Sequence, residues 1–504
     1  MTKQIRNLGV FLACCYAALF LQVNRLTVFQ ADSLNDEPRN LRAVVRDFSR
    51  PRGTIETVDG VVVAQSVESD DQFKFQRQYP TGELFAHVTG FFAFQLGSAG
   101  VEKTYNDELA GRTLTFKLKD LGDLFVDRER VGNVTLSLRN DVQEVAKDAL
   151  GERRGSVVAI DPRNGEILAL WSYPSYDPNL LASHDFAAAS AASEALNNDP
   201  AKPNLARTYR ERFAPGSTFK VVTSTAGVEH GGVTQDSPSY PVQTEYSAAS
   251  FGRPISNFGG ESCGGTLFTI LEVSCNTAFA QMGVENAKAD GMTESAQAFG
   301  FNQSVPIDLP GAEESKWPTA NAADANFLAQ MSIGQNEVAA TPLQMAMVAG
   351  AVANGGQIMT PHVMREVRDD QGDVVDRFDP EVWTTAMTPD TANLLKNAMI
   401  GVVTDGTASH LDDGLPDNIV VGGKTGTAQL GTDPPKSHAW IIGFAGPEGE
   451  VPSVAVAVLV EGQDGASEQT GGRVAAPIAA AVLKQALTAP ARADSGGAAS
   501  NTGG

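Results

Sequence analysis

The sequence predicts a mixed α/β or α+β protein. Its main domain has an antiparallel sheet flanked by helices, and an extended β-rich domain and an N-terminal membrane helix precede it. Three observations support this prediction: an apolar run at the start, alternating extended runs up to about residue 150, and a later mixture of extended and helical patterns. The length of 504 residues suits two or three domains, and a hydrophobic fraction of 42% is enough to give them cores.

The apolar run at residues 8–23 predicts a membrane helix. With the residues just before it, the run is long enough to cross the bilayer hydrocarbon at about 1.5 Å per residue. Lys3 and Arg6 precede it, so the positive-inside bias places the N-terminus in the cytoplasm. An uncleaved anchor and a cleaved signal peptide both stay open, and the anchor is favoured because no A-x-A-like site follows. We assign residues 1–30 to a cytoplasmic stub and transmembrane anchor and expect the rest outside the cytoplasm.

Composition argues against a nucleic-acid partner. The formal net charge is -22, from 38 basic and 60 acidic residues, and no basic stripe is present that could follow a phosphate backbone. The six histidines and four cysteines lack the spacing of zinc or haem sites. The sequence therefore predicts no metal and no cofactor.

Local patterns divide the rest of the chain into three parts. Residues 31–150 predict a β-rich domain with a hairpin at Asp59-Gly60 and a helix at its end. Residues 151–490 predict the main domain, and residues 491–504 predict a disordered, low-complexity tail. Within the main domain the pattern predicts two strands around residues 162–165, an exposed alanine-rich helix capped by Asp185, and extended runs at 418–424, 438–446 and 451–462, the last two suggesting an antiparallel meander.

Cys263 and Cys275 both lie outside the cytoplasm on this topology. Cysteines close together in the chain are more often bridged than free in an oxidising compartment. We therefore expect a disulfide between them, and the short loop that it closes would add about 2–3 kcal/mol in the chain-entropy account.

The first chemical motif is PGSTFK at residues 215–220. The Pro-Gly turn is followed by helical spacing, so Ser217 is predicted at the first turn of a helix, where unpaired N–H groups favour an alkoxide or oxyanion. Lys220 lies one turn on, and a buried lysine can lose its proton and act as a general base. S-x-x-K occurs about once by chance in a chain of this length, so this motif alone is weak.

The second motif is Ser274-Cys275-Asn276, between two segments of helical pattern. Positions i and i+2 do not share a helix face, so Ser274 and Asn276 can converge only if they lie on the connecting loop. A hydroxyl in that place can relay a proton, and an amide can hold a peptide carbonyl. An ordinary helix boundary is the competing interpretation.

The third motif is Lys424-Thr425-Gly426-Thr427, at the end of a predicted strand. A strand edge can pair with an extended peptide, and the lysine with its two hydroxyl neighbours suits a carboxylate. The competing interpretation is a P-loop. It fails because that motif needs glycine at the position of Asn418 and a helix, not a strand, afterwards.

The three motifs in this order are the set that occurs in penicillin-binding proteins and serine β-lactamases. Together with Arg52-Gly53, GVEKTYNDELAG at 100–111, WSYPSYDPN and SIGQNEVAATPLQ, they make the chain resemble the class B, monofunctional penicillin-binding proteins. The resemblance extends from the anchor to about residue 487. It is strongest to the short PbpA-type branch of actinobacteria.

This resemblance implies a peptidoglycan D,D-transpeptidase that acylates a serine on the D-Ala-D-Ala end of a stem peptide, with β-lactams as covalent inhibitors. It gives each matching residue a role: Ser217 as nucleophile, Lys220 as general base, Ser274 as proton relay, Asn276 as a holder of Lys220 and the donor peptide, Lys424, Thr425 and Gly426 at the substrate carboxylate, and the N–H groups of Ser217 and Thr427 as oxyanion hole.

The resemblance also implies that residues 31–150 form a non-catalytic pedestal or dimerisation domain, which can dock a polytopic glycosyltransferase. Two alternatives stay open at this point. One is a hydrolase, either a β-lactamase or a D,D-carboxypeptidase, which shares the motifs but usually lacks a large preceding domain. The other is a non-catalytic penicillin-binding scaffold or sensor.

Overall fold

A computed structural model describes residues 2–26, 48–113, 116, 130–249, 252–433, 435–463 and 470–489. The first helix, Thr2–Asn24, is long and apolar enough to cross a membrane, and none of its apolar stretch is buried against the described remainder. The expected disordered tail at 491–504 lies outside the described residues.

The described helices have the following bounds. They are α1 Thr2–Asn24, α2 Ala86–Thr89, α3 Gly100–Thr104, α4 Asn106–Leu109, α5 Asn140–Leu150, α6 Asn179–Ala182, α7 Phe186–Asn198, α8 Arg207–Arg210, α9 Lys220–Gly231, α10 Leu267–Glu272, α11 Asn276–Gln281, α12 Lys288–Ala298, α13 Ala325–Met331, α14 Pro342–Ala353, α15 Pro389–Thr404 and α16 Ala476–Leu487. Shorter 3-10 segments occur at Gly82–Phe85, Gly216–Phe219, Phe258–Gly260 and Thr319–Ala323, and π turns at Met282–Ala287 and Gly471–Ala475.

The described strands are β1 Ile55–Glu56, β2 Val62–Glu68, β3 Phe75–Gln78, β4 Phe92–Ala93, β5 Gly97–Ser98, β6 Asn133–Leu136, β7 Gly155–Ile160, β8 Ile167–Tyr173, β9 Tyr240–Gln243, β10 Glu245–Tyr246, β11 Ile255–Ser256, β12 Cys263–Gly265, β13 Gln357–Met359, β14 Met364–Arg368, β15 Val374–Arg377, β16 Val382–Thr385, β17 Ile419–Gln429, β18 Ser437–Pro447 and β19 Val454–Val460.

The main sheet is antiparallel throughout, in the order β17-β18-β19-β7-β8. The predicted meander is confirmed, since β18 and β19 pair, as is the strand pair around residues 162–165. Helix α14, in which every residue is buried, packs on β7, β18 and β19, and α16 packs on β18 and β19. The predicted main-domain architecture of an antiparallel sheet with flanking helices is therefore confirmed, and it leaves β17 at the edge of the sheet.

The second large sheet has the order β15-β14-β6-β1-β2-β3. Four of its strands come from the N-terminal region, but β14 and β15 come from residues that the sequence pattern placed in the main domain. Val367 of β14 pairs with Val134 of β6. Conversely α5, which the pattern placed in the N-terminal region, packs on β8 and α16 of the main domain. Two strands and one helix thus cross the predicted boundary near residue 150, because pairing over such chain distances leaves no local pattern.

Candidate active site

The turn before Ser217 packs closely against two neighbouring segments, one at Gly334 and one at Thr427. Gly216 has a positive φ of 54°, and its N–H donates to the carbonyl of Gly334 at 2.9 Å. A Cβ at Gly334 would lie 2.1 Å from the Gly216 oxygen, and a Cβ at Gly216 would lie 2.8 Å from the oxygen of Thr427. Only glycines fit this approach, so the turn is fixed against both neighbours.

Ser217 lies in the 3-10 segment Gly216–Phe219, which runs directly into α9. The sequence predicted that Ser217 lies in the first turn of an α-helix. In the structure that turn is a 3-10 turn, which is tighter and is common at helix ends. The serine side chain is half-buried, and it makes no hydrogen bond to another described residue. Just before the turn, the indole N–H of Trp440 in β18 donates to the Ala214 carbonyl at 3.1 Å. The nucleophile candidate is therefore held by its backbone while its hydroxyl stays available.

Lys220 is fully buried at the start of α9. Its Nζ donates to the Ser274 carbonyl at 2.7 Å, to the Asn276 Oδ1 at 2.7 Å and to the Ser274 Oγ at 3.2 Å. The ammonium position also lies 5.5 Å from the centroid of the Phe279 ring. The S-x-x-K and S-x-N motifs are thus joined through one nitrogen atom.

Ser274 occupies the loop between α10 and α11, as the sequence predicted. Its φ is +58°, a left-handed conformation that is uncommon for a residue other than glycine. That conformation allows its carbonyl and its hydroxyl both to reach Lys220. Cys275, the next residue, forms a disulfide with Cys263 in β12, with a Cα–Cα distance of 5.8 Å. The disulfide therefore ties the strained loop to a neighbouring strand.

Lys424 is also fully buried, on the edge strand β17. Its Nζ donates to the Ser274 Oγ at 2.9 Å and to the Thr425 carbonyl at 3.0 Å. Gly426 allows close packing of this strand, since a Cβ there would lie 2.9 Å from the Cγ2 of Thr218. The Ser274 hydroxyl therefore accepts hydrogen bonds from the amines of both lysines, and these bonds connect the three motifs.

Burial dominates the electrostatics of the two lysines. Burial, with the nearby Lys424 second, lowers the pKa of Lys220 well below its ordinary value. Burial lowers the pKa of Lys424 to about 7. Within the described part of the chain, neither lysine forms an ion pair with a carboxylate. A lysine in this environment readily gives up its proton, as a general base must.

Three residues that contact the motifs were not identified as site residues from the sequence: Thr407, Ser256 and Gly334. Thr407, in the turn that follows α15, shares a 2.6 Å hydrogen bond with the Thr425 hydroxyl, and the Ser256 carbonyl accepts from the Asn276 Nδ2 at 3.0 Å. Neither residue lies in a motif. Gly334 does belong to the SIGQ segment noted in the sequence, but its contact with the turn before Ser217 appears only in the tertiary structure.

An antiparallel sheet flanked by helices, with S-x-x-K, S-x-N and K-T-G converging at one edge strand, defines the class of penicillin-binding proteins and serine β-lactamases. The family model for the penicillin binding protein transpeptidase domain matches residues 155–484, and the model for the penicillin binding protein A dimerisation domain matches residues 52–134. The chain therefore belongs to the penicillin-binding protein transpeptidase family.

Among individual proteins, the chain is similar to the peptidoglycan D,D-transpeptidase PbpA of Mycolicibacterium smegmatis. The two are 38% identical over 502 residues, which cover 97% of this chain and 99% of the relative. The PbpA of Mycobacterium tuberculosis is 36% identical over 504 residues, covering 97% and 99%. The structure of penicillin-binding protein A from M. tuberculosis as a penicillin G acyl-enzyme complex superposes with a TM-score of 0.78 at 35% identity, covering 87% of this chain and 100% of that one.

Proposed function

We propose that this protein is a serine D,D-transpeptidase that cross-links peptidoglycan stem peptides and is acylated by β-lactams. The observation that carries the proposal is the pair of buried lysines converging on the Ser274 hydroxyl, next to the helix-start Ser217. The two lysines have no carboxylate partner among the described residues, so the site is built to hold a base and to receive an anion. The naming of similar proteins as D,D-transpeptidases and the penicillin acyl-enzyme of a relative support the same function.

Acylation begins when the Ser217 Oγ attacks the carbonyl carbon of the penultimate D-Ala. Lys220, neutral because of its burial, takes the hydroxyl proton. As the tetrahedral intermediate collapses, the C–N bond breaks, and the proton passes from Lys220 through the Ser274 hydroxyl to the departing amine of the terminal D-Ala. The Nζ of Lys220 lies 3.2 Å from the Oγ of Ser274, a distance that suits this relay. The Oδ1 of Asn276 accepts a hydrogen bond from the same Nζ and so fixes its position.

The oxyanion of that intermediate would be held by the backbone N–H groups of Ser217 and Thr427. The Thr427 carbonyl lies beside Gly216 and so faces away from β18. In an antiparallel strand the N–H and C=O of one residue point to the same side, so the Thr427 N–H also points away from β18, toward the turn that carries Gly216 and Ser217. Losing one such donor typically costs about a hundredfold in rate.

Lys424, Thr425 and Gly426 would receive the terminal carboxylate of the donor peptide. The Thr425 hydroxyl is oriented by Thr407, and the Lys424 ammonium supplies positive charge for the carboxylate. The amine of a second stem peptide then attacks the acyl-enzyme carbonyl, the ester bond to Ser217 breaks, and the cross-link forms.

We propose that α1 anchors the protein as a single-pass segment with its N-terminus in the cytoplasm, since Lys3 and Arg6 flank the apolar stretch. The catalytic domain then lies outside the cytoplasm, where its substrate is. The N-terminal domain would serve as the pedestal on which a polytopic glycosyltransferase docks.

Labelling of the full-length protein in detergent with a fluorescent penicillin tests this function. Ser217→Ala should abolish covalent labelling, while Ser190→Ala, an exposed serine on α7, should label like the wild type. Label that survives Ser217→Ala would refute the proposal. Rapid release of the label from the wild type would instead favour the hydrolase, and stable acylation without any cross-linking of stem peptides would favour the scaffold or sensor.

A further inference from the structure

A cavity of about 280 Å³ lies between the two family domains, away from the active-site motifs. One wall comes from residues 86–100 of the N-terminal domain and the opposite wall from α8 and Tyr176 of the transpeptidase domain. Helix α7, the predicted alanine-rich helix with Asp185 as its N-cap, closes one side. The volume of the cavity is close to the lower end of the range of about 300–1,000 Å³ for small-molecule sites, which often occur between domains.

The inner lining of this cavity is apolar and aromatic. Phe91, Leu96 and Leu196 line it, together with Tyr176 and Tyr209. The two tyrosine hydroxyls already donate to backbone carbonyls, Tyr176 to Ala86 and Tyr209 to His87, so they present ring faces rather than free polar groups. The interior therefore suits an apolar or aromatic group.

Besides His87 and Ser193, three exposed polar residues line the cavity: Arg210, Asn197 and Asn204. Arg210 lines the cavity, and within the described part of the chain its guanidinium has neither an ion pair nor a hydrogen bond. Its charge contributes, after burial and Arg207, to holding the pKa of His87 down to about 4. Among the described residues, none that lines the cavity is acidic. The cavity thus carries one uncompensated positive charge.

Two amides line the same cavity. The Nδ2 of Asn204 donates to the Oδ1 of Asn197 at 2.8 Å, which fixes the pair. This bond leaves the Asn197 Nδ2 as a donor and the Asn204 Oδ1 as an acceptor, the two groups that one peptide-type amide needs. We propose that the cavity binds an N-acylated amino acid: a carboxylate on Arg210, an adjoining amide on the asparagine pair, and an apolar or aromatic side chain inside.

N-acetyl-L-phenylalanine is a suitable probe, and N-acetyl-L-phenylalaninamide, which lacks the carboxylate, is its matched control. Titration calorimetry on the full-length protein in detergent should show the acid binding at least about tenfold more tightly than the amide, because a charged hydrogen-bonded pair is lost in the latter. Arg210→Gln should remove that preference. Arg212→Gln, whose side chain instead pairs with Glu313, should keep it.

The experiment also separates this cavity from the active site. Prior acylation with penicillin G should leave binding of the acid unchanged, since the cavity is lined by none of the motif residues. Loss of binding after acylation, equal binding of acid and amide, retention of the preference in Arg210→Gln, or no binding of either probe at millimolar concentration would each overturn the proposal. The comparison of acid with amide and its response to Arg210→Gln do not depend on Ser217 being the nucleophile.

Discussion

Two buried charge clusters differ in how their charges are balanced. In the N-terminal domain, Glu102 is fully buried and accepts from the Nε of Arg52 and the Nε of Arg77, each at 2.6 Å, and from the Tyr79 hydroxyl at 3.3 Å. We call these residues the pedestal charge cluster. In the catalytic domain, the active-site lysine pair of Lys220 and Lys424 is equally buried, but among the described residues its hydrogen bonds go to hydroxyl, amide and carbonyl oxygens and to no carboxylate.

The pKa directions express the same difference. Burial alone would raise the pKa of Glu102, but the two guanidinium groups outweigh it and hold that pKa below its ordinary value. For the lysine pair nothing opposes burial, and the pKa of each lysine falls. A buried carboxylate between two guanidinium groups holds segments together, whereas two buried amines with no carboxylate partner among the described residues are kept ready to exchange a proton and to accept an anion.

Removal of Lys220 should have the largest effect on activity. Lys220→Met should slow acylation by fluorescent penicillin by about 10²- to 10⁴-fold, the usual contribution of a general base. Because the buried amine of Lys220 has no anionic partner among the described residues, its removal breaks no ion pair there, and the melting temperature should not fall. Lys316→Met, which removes an exposed lysine that pairs with Glu337, is the control and should label normally. A rate within a few-fold of wild type would exclude Lys220 as the base.

Removal of the Glu102 carboxylate from the pedestal charge cluster should lower the stability of the fold and leave the activity unchanged. Glu102→Gln leaves two buried guanidinium groups uncompensated, which costs about 3–5 kcal/mol in comparable buried pairs. Thermal unfolding should show the loss, while the acylation rate of the molecules that stay folded should match the wild type. Glu337→Gln on the surface should leave unfolding unchanged. A slow acylation rate in folded Glu102→Gln would break the distinction between the clusters.

The lysine pair should also give stability a pH dependence of known sign. The pKa of Lys424 is about 7 in the folded protein and about 10.4 in the unfolded chain. Between these values the unfolded state binds more protons, so the free energy of unfolding rises with pH; below pH 7 the cost of charging the buried amine is present in full. Lys424→Met removes this cost.

The melting temperatures of wild type and Lys424→Met should therefore differ most near pH 6, with the variant more stable, and approach each other as pH rises above 7. The pedestal charge cluster predicts no such trend in this window. The lowered pKa of Glu102 contributes stability above its unfolded pKa of about 4.3, and that contribution is lost only on stronger acidification. A pH-independent difference would contradict a charged Lys424 at pH 6.

The smallest expected effect concerns the positioning of Thr425. Thr407→Val removes the 2.6 Å hydrogen bond to the Thr425 hydroxyl, worth about 1 kcal/mol, and should slow acylation by about fivefold. Thr407→Ser should restore the rate because it keeps the hydroxyl. Thr404→Val, an exposed threonine one turn earlier, should have no effect. If Thr407→Ser is as slow as Thr407→Val, the hydroxyl is not what positions Thr425.

The sequence by itself determined the local elements and the chemistry of the site residues. The strands around residues 162–165, the meander of β18 and β19 and the Asp185-capped helix each follow a short-range pattern, and the structure contains them. The three motifs identified the candidate nucleophile, base and carboxylate binder because their residue types carry that chemistry wherever they occur together.

Only the tertiary structure decided which distant segments meet. The pairing of β14 with β6 gave the N-terminal sheet two strands from the main domain, and the packing of Thr407 and Gly334 around the motifs had no sequence signal. The physical reason is that local patterns report which face of an element is buried but not its partner. Burial of Lys220 and Lys424, and with it their lowered pKa values, is likewise a property of the assembled fold.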